Sequence, residues 1–243
     1  MSRMTRLNMS KSMAKGKGKS DSEQRPIVTE VNPMSPISEA YRTLRTNLQY
    51  AEIDRALQLL MVTSASPKEG KSTTIMNLAV TYSQSDLKVI LIDADLRKPT
   101  AHYTLQLSNR AGLSQVLSGQ ARLDDAIQKS RIKGLDVLTS GPTPPNPSEL
   151  LGSARMDAML EQLRGQYDMV LIDTPPVLAV SDAQIVATRC DGVLLVVNAR
   201  TGKRQHVVKA RNALQFVQAR IVGVALNQTS QSEAGPYYEY AEG

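Results

Sequence analysis

Tryptophan is absent from this sequence, phenylalanine occurs once, at Phe216, and cysteine once, at Cys190. A lone cysteine excludes an intramolecular disulfide and any metal site built on several thiolates. Cys190 follows Thr188-Arg189 and precedes a strand-like run, so it reads as a buried structural thiol. With so few aromatics the core has to be aliphatic. No stretch approaches the roughly 18–20 apolar residues of a membrane-spanning helix. The N-terminus also lacks the apolar run of a secretory signal. Both absences lead to the expectation of a soluble, cytoplasmic protein.

Apolar residues nevertheless make up 41% of the 243 residues, enough to fill one sizeable α/β domain. The formal net charge is +6, and much of it lies near the start. Arg3, Arg6, Lys11, Lys15, Lys17, Lys19 and Arg25 are opposed there only by Asp21 and Glu23. This head has no apolar run and no period, so residues 1–34 are expected to be a disordered basic segment. It could touch acidic lipid or an acidic partner, or simply be solvated. The charge is therefore no argument for nucleic-acid binding by the folded part, and none is expected.

Short apolar runs alternate with helical patterns from there on. Strands are expected at 57–64, 88–93, 135–140, 168–173, 192–199 and 221–227, and helices near 71–84, 153–165, 181–188 and 203–218. The strand runs are continuous rather than alternating, as when both faces of a sheet are covered. That order predicts an α/β fold with a doubly wound, mostly parallel sheet. An earlier helix carries Tyr41, Leu44 and Leu48 at helical spacing, with Ser38 as its expected cap. A Pro-rich stretch at 141–151 is expected to be an irregular loop over a site. His102 and His206 belong to no motif and are expected at the surface.

VTSASPKEGKST, residues 62–73, is the first motif with chemistry in it. Gly70-Lys71-Ser72 fits the end of a phosphate-binding loop between a strand and a helix, although Ala65 stands where that pattern has its first glycine. Backbone N–H groups of such a turn and of the helix N-terminus bind phosphate oxygens. Lys71 would reach the terminal phosphates of a nucleotide and the Ser72 hydroxyl would bind Mg²⁺. Ser66, Pro67, Lys68, Glu69 and Thr73 complete the expected nucleotide cradle. LIDADLR (91–97) and VLIDTPP (170–176) end two more strands with Asp93, Asp95 and Asp173. In an open α/β sheet all three carboxylates can converge at the strand ends, where oxygen ligands hold hydrated Mg²⁺.

The segments SASPKEGKS, LIDADLRKP and VLIDTPP resemble the Walker A, A′ and B motifs of the bacterial protein-tyrosine kinases. The likeness runs from about residue 35 to the end and is nearest to the separate cytoplasmic kinases of Gram-positive capsule and exopolysaccharide operons. It implies a P-loop NTPase fold of the deviant-Walker, partition-ATPase-like superfamily, with ATP and Mg²⁺ as cofactors. In that family the first loop glycine is often replaced, as by Ala65 here. A glycine is usual at the Lys68 position, so Lys68 either strains the loop or adds charge near the phosphates. The resemblance makes Asp93 the candidate proton acceptor, Asp95 and Asp173 the magnesium holders, and Lys71 the phosphate-stabilising cation. Arg97 would contact substrate or order its loop. Adenine preference follows only from the family, and Asn227 at a strand end is a candidate base contact or a cap.

The same resemblance interprets two further features. Glu39, Arg42 and Arg45 sit three residues apart on one helix flank. Spacing alone fits a salt-bridged surface helix, whereas the family implies a subunit contact in a ring-shaped homo-oligomer. Three of the eight tyrosines, Tyr237, Tyr238 and Tyr240, lie in the last seven residues, in a polar tail. Composition alone fits a docking peptide, and the resemblance implies the cluster that these kinases phosphorylate on one another. The expected division is thus a head (1–34), a kinase domain (35–228) and a tyrosine-rich tail (229–243). The implied partners are a membrane polysaccharide co-polymerase adaptor that activates the kinase and recruits it to the inner membrane face, a tyrosine phosphatase, and sugar-nucleotide dehydrogenase or glycosyltransferase substrates. Two alternatives stay open. A partition or site-selection ATPase would need a second, signature lysine where Ser66 stands. A non-catalytic ATP-gated scaffold of the polysaccharide machinery would bind nucleotide without transferring phosphate.

Overall fold

The computed structural model describes residues 4–6, 26–51 and 57–229. Its strands are β1 (Met4–Arg6), β2 (Leu59–Ser64), β3 (Val89–Asp93), β4 (Ile127–Lys129), β5 (Leu135–Leu138), β6 (Met169–Asp173), β7 (Gly192–Asn198) and β8 (Ile221–Asn227). They form one sheet in the order β1-β8-β7-β2-β6-β3-β5-β4. Every pairing is parallel except β4 with β5 at one edge. All six expected strands are present. β1 and β4 were not anticipated: each is three residues long and lies at an edge, too short to leave a pattern.

Helices α1 (Val28–Val31), α2 (Pro36–Gln49), α3 (Lys71–Ser83) and α4 (Ala101–Leu105) precede α5 (Leu113–Ser118), α6 (Leu123–Ala126) and α7 (Pro147–Leu151). They are followed by α8 (Ala154–Arg164), α9 (Asp182–Ala187) and α10 (Arg204–Phe216). Alternate strand residues feed two separate aliphatic layers. Leu60, Val62, Leu91 and Leu171 pack with α2, α3 and α4. Leu59, Met61, Ile90, Ile92 and Val170 pack with the helices of the opposite face. That is why the strand runs read as continuous. Tyr41 of α2 is wholly buried in the first layer, a burial worth about 1.5–3 kcal/mol for a side chain of this size.

Three expectations change. The folded unit begins before residue 35: Ile27 and Thr29 are buried, and Thr29 N donates to Asn77 Oδ1 at 3.0 Å, tying α1 to α3. Ser35 rather than Ser38 caps α2, accepting from Ser38 N at 3.2 Å, because Pro36 takes the first helical position. Ser38 instead lies buried and donates to Asn32 O at 2.7 Å. The Pro-rich stretch is helical at its end, where Pro147 opens α7. The tail tyrosines 237, 238 and 240 lie outside the described residues.

Candidate active site

Three adjacent central strands deliver the site. Asp173 of β6 pairs with Val62 of β2 on one side and with Asp93 of β3 on the other. The phosphate loop leaves the C-terminal end of β2 and enters α3 at Lys71. Gly70 has φ +94° and Lys68 φ +67°, both in the left-handed region. Ala65 is not among the positive-φ residues, and it is buried in the core layer on the face of α5–α10. The loop therefore has no conformational need for a glycine at its first position, and a methyl there fills core space. At Lys68 the absent glycine does cost strain, on the order of 1 kcal/mol.

The loop is held from behind by its own polar groups. Glu69 is buried and its carboxylate accepts from Ser66 N at 2.9 Å. Burial raises the Glu69 carboxyl above its ordinary range, offset in part by the Ser66 and Ala65 N–H groups. Ser66 Oγ and His206 Nδ1 are 3.0 Å apart, which links α10 to the loop. His206 is thus a loop contact rather than a bystander, and no sequence spacing could have shown it. Asn227 is buried and its Nδ2 donates to Glu69 O at 3.1 Å, while its Oδ1 accepts from Gln228 N at 2.9 Å. A side chain so engaged pins the loop from the end of β8.

Lys71 Nζ lies 3.0 Å from Asp95 Oδ2, 3.3 Å from Asp173 Oδ1 and 3.1 Å from Ser72 Oγ. Burial alone would lower the Lys71 ammonium, but the charges of Asp173 and Asp95 outweigh it and the net shift is upward. Burial raises Asp173, with Lys71 opposing. Asp173 Oδ2 is buried and has no hydrogen-bond partner. An orphaned carboxylate oxygen beside Asp95 and a serine hydroxyl is a hard oxygen donor set, which suits Mg²⁺. Among the described residues no three His, Cys, Asp or Glu side chains are grouped to hold a metal unaided.

Asp93 is fully buried. Its Oδ1 accepts from Asp95 N at 3.2 Å, and its Oδ2 accepts from Thr100 N and Ala101 N, each at 2.9 Å. Burial first and the Asp173 charge second raise its carboxyl to about 7. Asp95, by contrast, lines a cavity of about 610 Å³ together with Lys68, Lys71, Ser72 and Thr73. Pro175, Pro176, Ala179, Val180 and Tyr103 give that cavity an apolar side.

Arg97 orders loops. It donates to Asp182 at 2.8 and 3.1 Å and to Ser148 Oγ at 3.2 Å, and Ser148 donates to Asp182 at 2.7 Å. Burial would raise the Asp182 carboxyl, but the Arg97 and Ser148 bonds prevail and hold it below its ordinary range. The first aspartate motif (91–97), the Pro-rich stretch and α9 are thereby joined. Asp182 and Ser148 were missed, their only signal being an ordinary helix-start composition. On α2, Arg42 pairs with Glu39 at 2.8 Å, and Arg45 donates to Thr81 O at 2.7 Å and to Ser85 Oγ. Arg45 thus ties α2 to α3 within the chain, while Glu39 remains exposed.

Comparison with known proteins agrees with this fold. Residues 67–223 match the family model of the AAA domain. The chain is 45% identical to the tyrosine-protein kinase YwqD of Bacillus subtilis over 228 residues, 94% of this chain and 96% of the relative. It superposes on the kinase domain of the Escherichia coli tyrosine kinase ETK with a TM-score of 0.84 at 36% identity, covering 93% of this chain and 90% of that one. The chimerical protein CapA2B2 matches with a TM-score of 0.82 at 41% identity, over 84% and 90% of the two chains. The likeness extends to the septum site-determining protein MinD of Pyrococcus horikoshii, with a TM-score of 0.63 at 25% identity over 76% of this chain and 75% of that one.

Proposed function

The chain belongs to the bacterial tyrosine-protein kinases, and from that premise we propose that it phosphorylates its own C-terminal tyrosines, Tyr237, Tyr238 and Tyr240, between neighbouring subunits. As a tyrosine kinase it moves a phosphoryl group from ATP to a phenolic hydroxyl. The observation that carries the reading is the convergence of Asp95, Asp173 and Ser72 on Lys71 Nζ beside a cavity, with Asp173 Oδ2 left buried and unpartnered.

Each residue has a task that follows from its position. Mg²⁺, held by Asp95, Asp173 and the Ser72 hydroxyl, would supply positive charge at the phosphate oxygens. Ser66 through Thr73 cradle the phosphates with backbone N–H groups. Lys71 stabilises the charge of the moving phosphoryl group; without nucleotide the same ammonium neutralises Asp95 and Asp173. A tyrosine hydroxyl near pKa ~10 is a poor nucleophile until its proton has somewhere to go. We assign that proton to Asp93, whose raised carboxyl, at about 7, suits proton acceptance near neutral pH. Asp93 lies beneath the Asp95 and Thr100 lining of the cavity, so proton transfer to it would require those residues to shift.

A ring of subunits would place each tail at its neighbour's site, with Glu39, Arg42 and Arg45 on the contact helix. Phosphorylation adds about −1.5 to −2 charges per tyrosine and would dissolve the ring by repulsion. No described helix is long and apolar enough to cross a membrane. Recruitment and activation would fall to a membrane co-polymerase adaptor, the cycle would be reset by a tyrosine phosphatase, and the output would be control of capsular or exopolysaccharide synthesis. Sugar-nucleotide dehydrogenases or glycosyltransferases would be the further substrates.

Mixing two variants tests the reaction between subunits. Lys71→Met with an intact tail is combined with an active chain carrying Tyr237→Phe, Tyr238→Phe and Tyr240→Phe. Phosphate appearing on the Lys71→Met tail supports transfer between subunits, and its absence while the wild type labels itself refutes it. Light scattering before and after labelling tests the ring, and equal masses would sink its dissolution.

A further inference from the structure

Charge is distributed unevenly along the second half of the chain. Residues 192–232 contain six Lys or Arg and no Asp or Glu. Lys203, Arg204, Lys209 and Arg211 of this stretch are exposed on or just before α10. Among the described residues none of the four has a carboxylate partner, whereas Arg42, Arg97, Arg131, Arg164 and Arg189 all do. The outward face of α10 also carries Val208 and Phe216, the latter 87% exposed and the chain's single phenylalanine. This face belongs neither to the phosphate loop nor to the cavity in front of it.

The chain's own tail has the opposite character. Residues 230–243 hold Glu233, Glu239 and Glu242, no Lys or Arg, and the three tyrosines. The tail also starts beside the basic face. Arg200 Nε donates to Gln228 O at 3.0 Å and Asn198 Nδ2 to Gln228 Oε1 at 3.2 Å, so the end of β8 is fastened to the loop that opens α10. Tyr237 lies eight positions beyond Thr229, a span of up to ~26 Å when extended. The 13 residues of α10 run for about 20 Å. Every basic residue of the helix is within reach of a phosphate on the tail.

We propose that the α10 face, formed by Lys203, Arg204, Lys209 and Arg211 with Phe216 at its end, is the docking surface for the phosphorylated tail of the same chain. The inference rests on the proposal that the tail tyrosines are phosphorylated. Three phosphates convert a weakly acidic segment into a strongly anionic one, and guanidinium and ammonium groups bind them by charge-assisted hydrogen bonds. The tether makes the contact intramolecular and so raises its effective concentration. A tail held on its own subunit is withdrawn from the neighbour's active site, so docking would make the phosphorylated state self-retaining until a phosphatase acts.

The test uses a fluorescent synthetic peptide of residues 230–243, with or without phosphate on all three tyrosines, titrated into the full unphosphorylated chain. Anisotropy should show the phosphopeptide binding at least about tenfold more tightly than the plain peptide, with affinity falling as salt is raised. The variant Arg204→Gln/Lys209→Gln/Arg211→Gln should lose most of that difference while keeping wild-type ATP affinity. Equal binding of the two peptides, or phosphopeptide binding unchanged in the variant, overturns the proposal. So does a variant-sensitive attachment to anionic phospholipid vesicles or to duplex DNA without preference for the phosphopeptide, since the face would then serve another partner. A final arm uses chain already phosphorylated by Mg-ATP, confirmed by intact mass, whose tethered tail should exclude the phosphopeptide. If no phosphate is incorporated, the autophosphorylation reading fails, while the supplied phosphopeptide still judges the face.

Discussion

Gly70 is where the phosphate loop is most sharply constrained, and replacing it gives a quantitative test. Its φ of +94° suits glycine, and a Cβ there would fall onto Asn227 Nδ2. The left-handed backbone would cost an L-residue about 1–2 kcal/mol. Displacing Asn227 breaks its buried hydrogen bond to Glu69 O, which costs about 1–3 kcal/mol more. Gly70→Ala should therefore destabilise the chain by about 2–5 kcal/mol. Asn227→Ala alone should cost about 1–3 kcal/mol, because Glu69 O loses its donor. The double variant has no amide to displace, so its cost should fall short of the sum by the once-counted bond, about 1–3 kcal/mol. Urea unfolding without nucleotide measures all three. Single costs that add to within about 0.5 kcal/mol would refute the pinning of the loop by Asn227. Unchanged stability in Asn227→Ala with weakened nucleotide binding would favour a base contact instead.

Other predictions follow from neighbouring residues. Asp93 titrates at about 7 when folded, against 3.8 ordinarily. Its contribution to stability is therefore present in full below about pH 4 and is lost as pH rises through about 7. The slope of urea midpoint against pH between 5 and 8 should be negative from this group and flatter in Asp93→Asn; an unchanged slope contradicts the assignment. Arg97→Ala leaves a carboxylate whose side chain is 0% exposed without its cation, and should cost about 1–3 kcal/mol in thermal unfolding. Asp182→Asn added to it should recover part of that loss, and no recovery argues against the ion pair. Lys68→Gly relieves a φ of +67°, but the flexible unfolded chain offsets the gain, so stability should move by less than about 1 kcal/mol. Its loss of charge in the cavity should weaken ATP binding about three- to tenfold at low salt, measured by titration calorimetry; unchanged affinity would leave Lys68 a strained residue with no ligand role.

Central features were legible because they are local or strongly periodic. Continuous aliphatic runs gave away six buried strands, and the loop and its two aspartate motifs sit where those strands end. Asp93, Asp95 and Asp173 could be brought together on paper because parallel strands deliver their C-termini to one edge. What escaped was short or depended on tertiary contact. β4 pairs over three residues, and α4, α5 and α6 have only four to six residues each, too few to show a period. The start of the fold was set too late because Ile27 and Thr29 follow a basic head, and only their contacts with the α2–α3 layer bury them. His206, Asp182 and Ser148 reach the site from distant segments, joined by hydrogen bonds that no spacing encodes. Asn227 shows in the sequence only as a strand-end residue, because its bond to Glu69 O and its closeness to Gly70 depend on the fold.

The central claim is that this chain transfers phosphate from ATP to its own tail tyrosines. Its most direct test is intact mass after incubation with Mg-ATP, for wild type and Lys71→Met, with and without an adaptor's cytoplasmic peptide. The account predicts added phosphates on wild type that map to Tyr237, Tyr238 or Tyr240 and vanish in Lys71→Met. ATP hydrolysis with no added mass, even with the adaptor peptide, would contradict it.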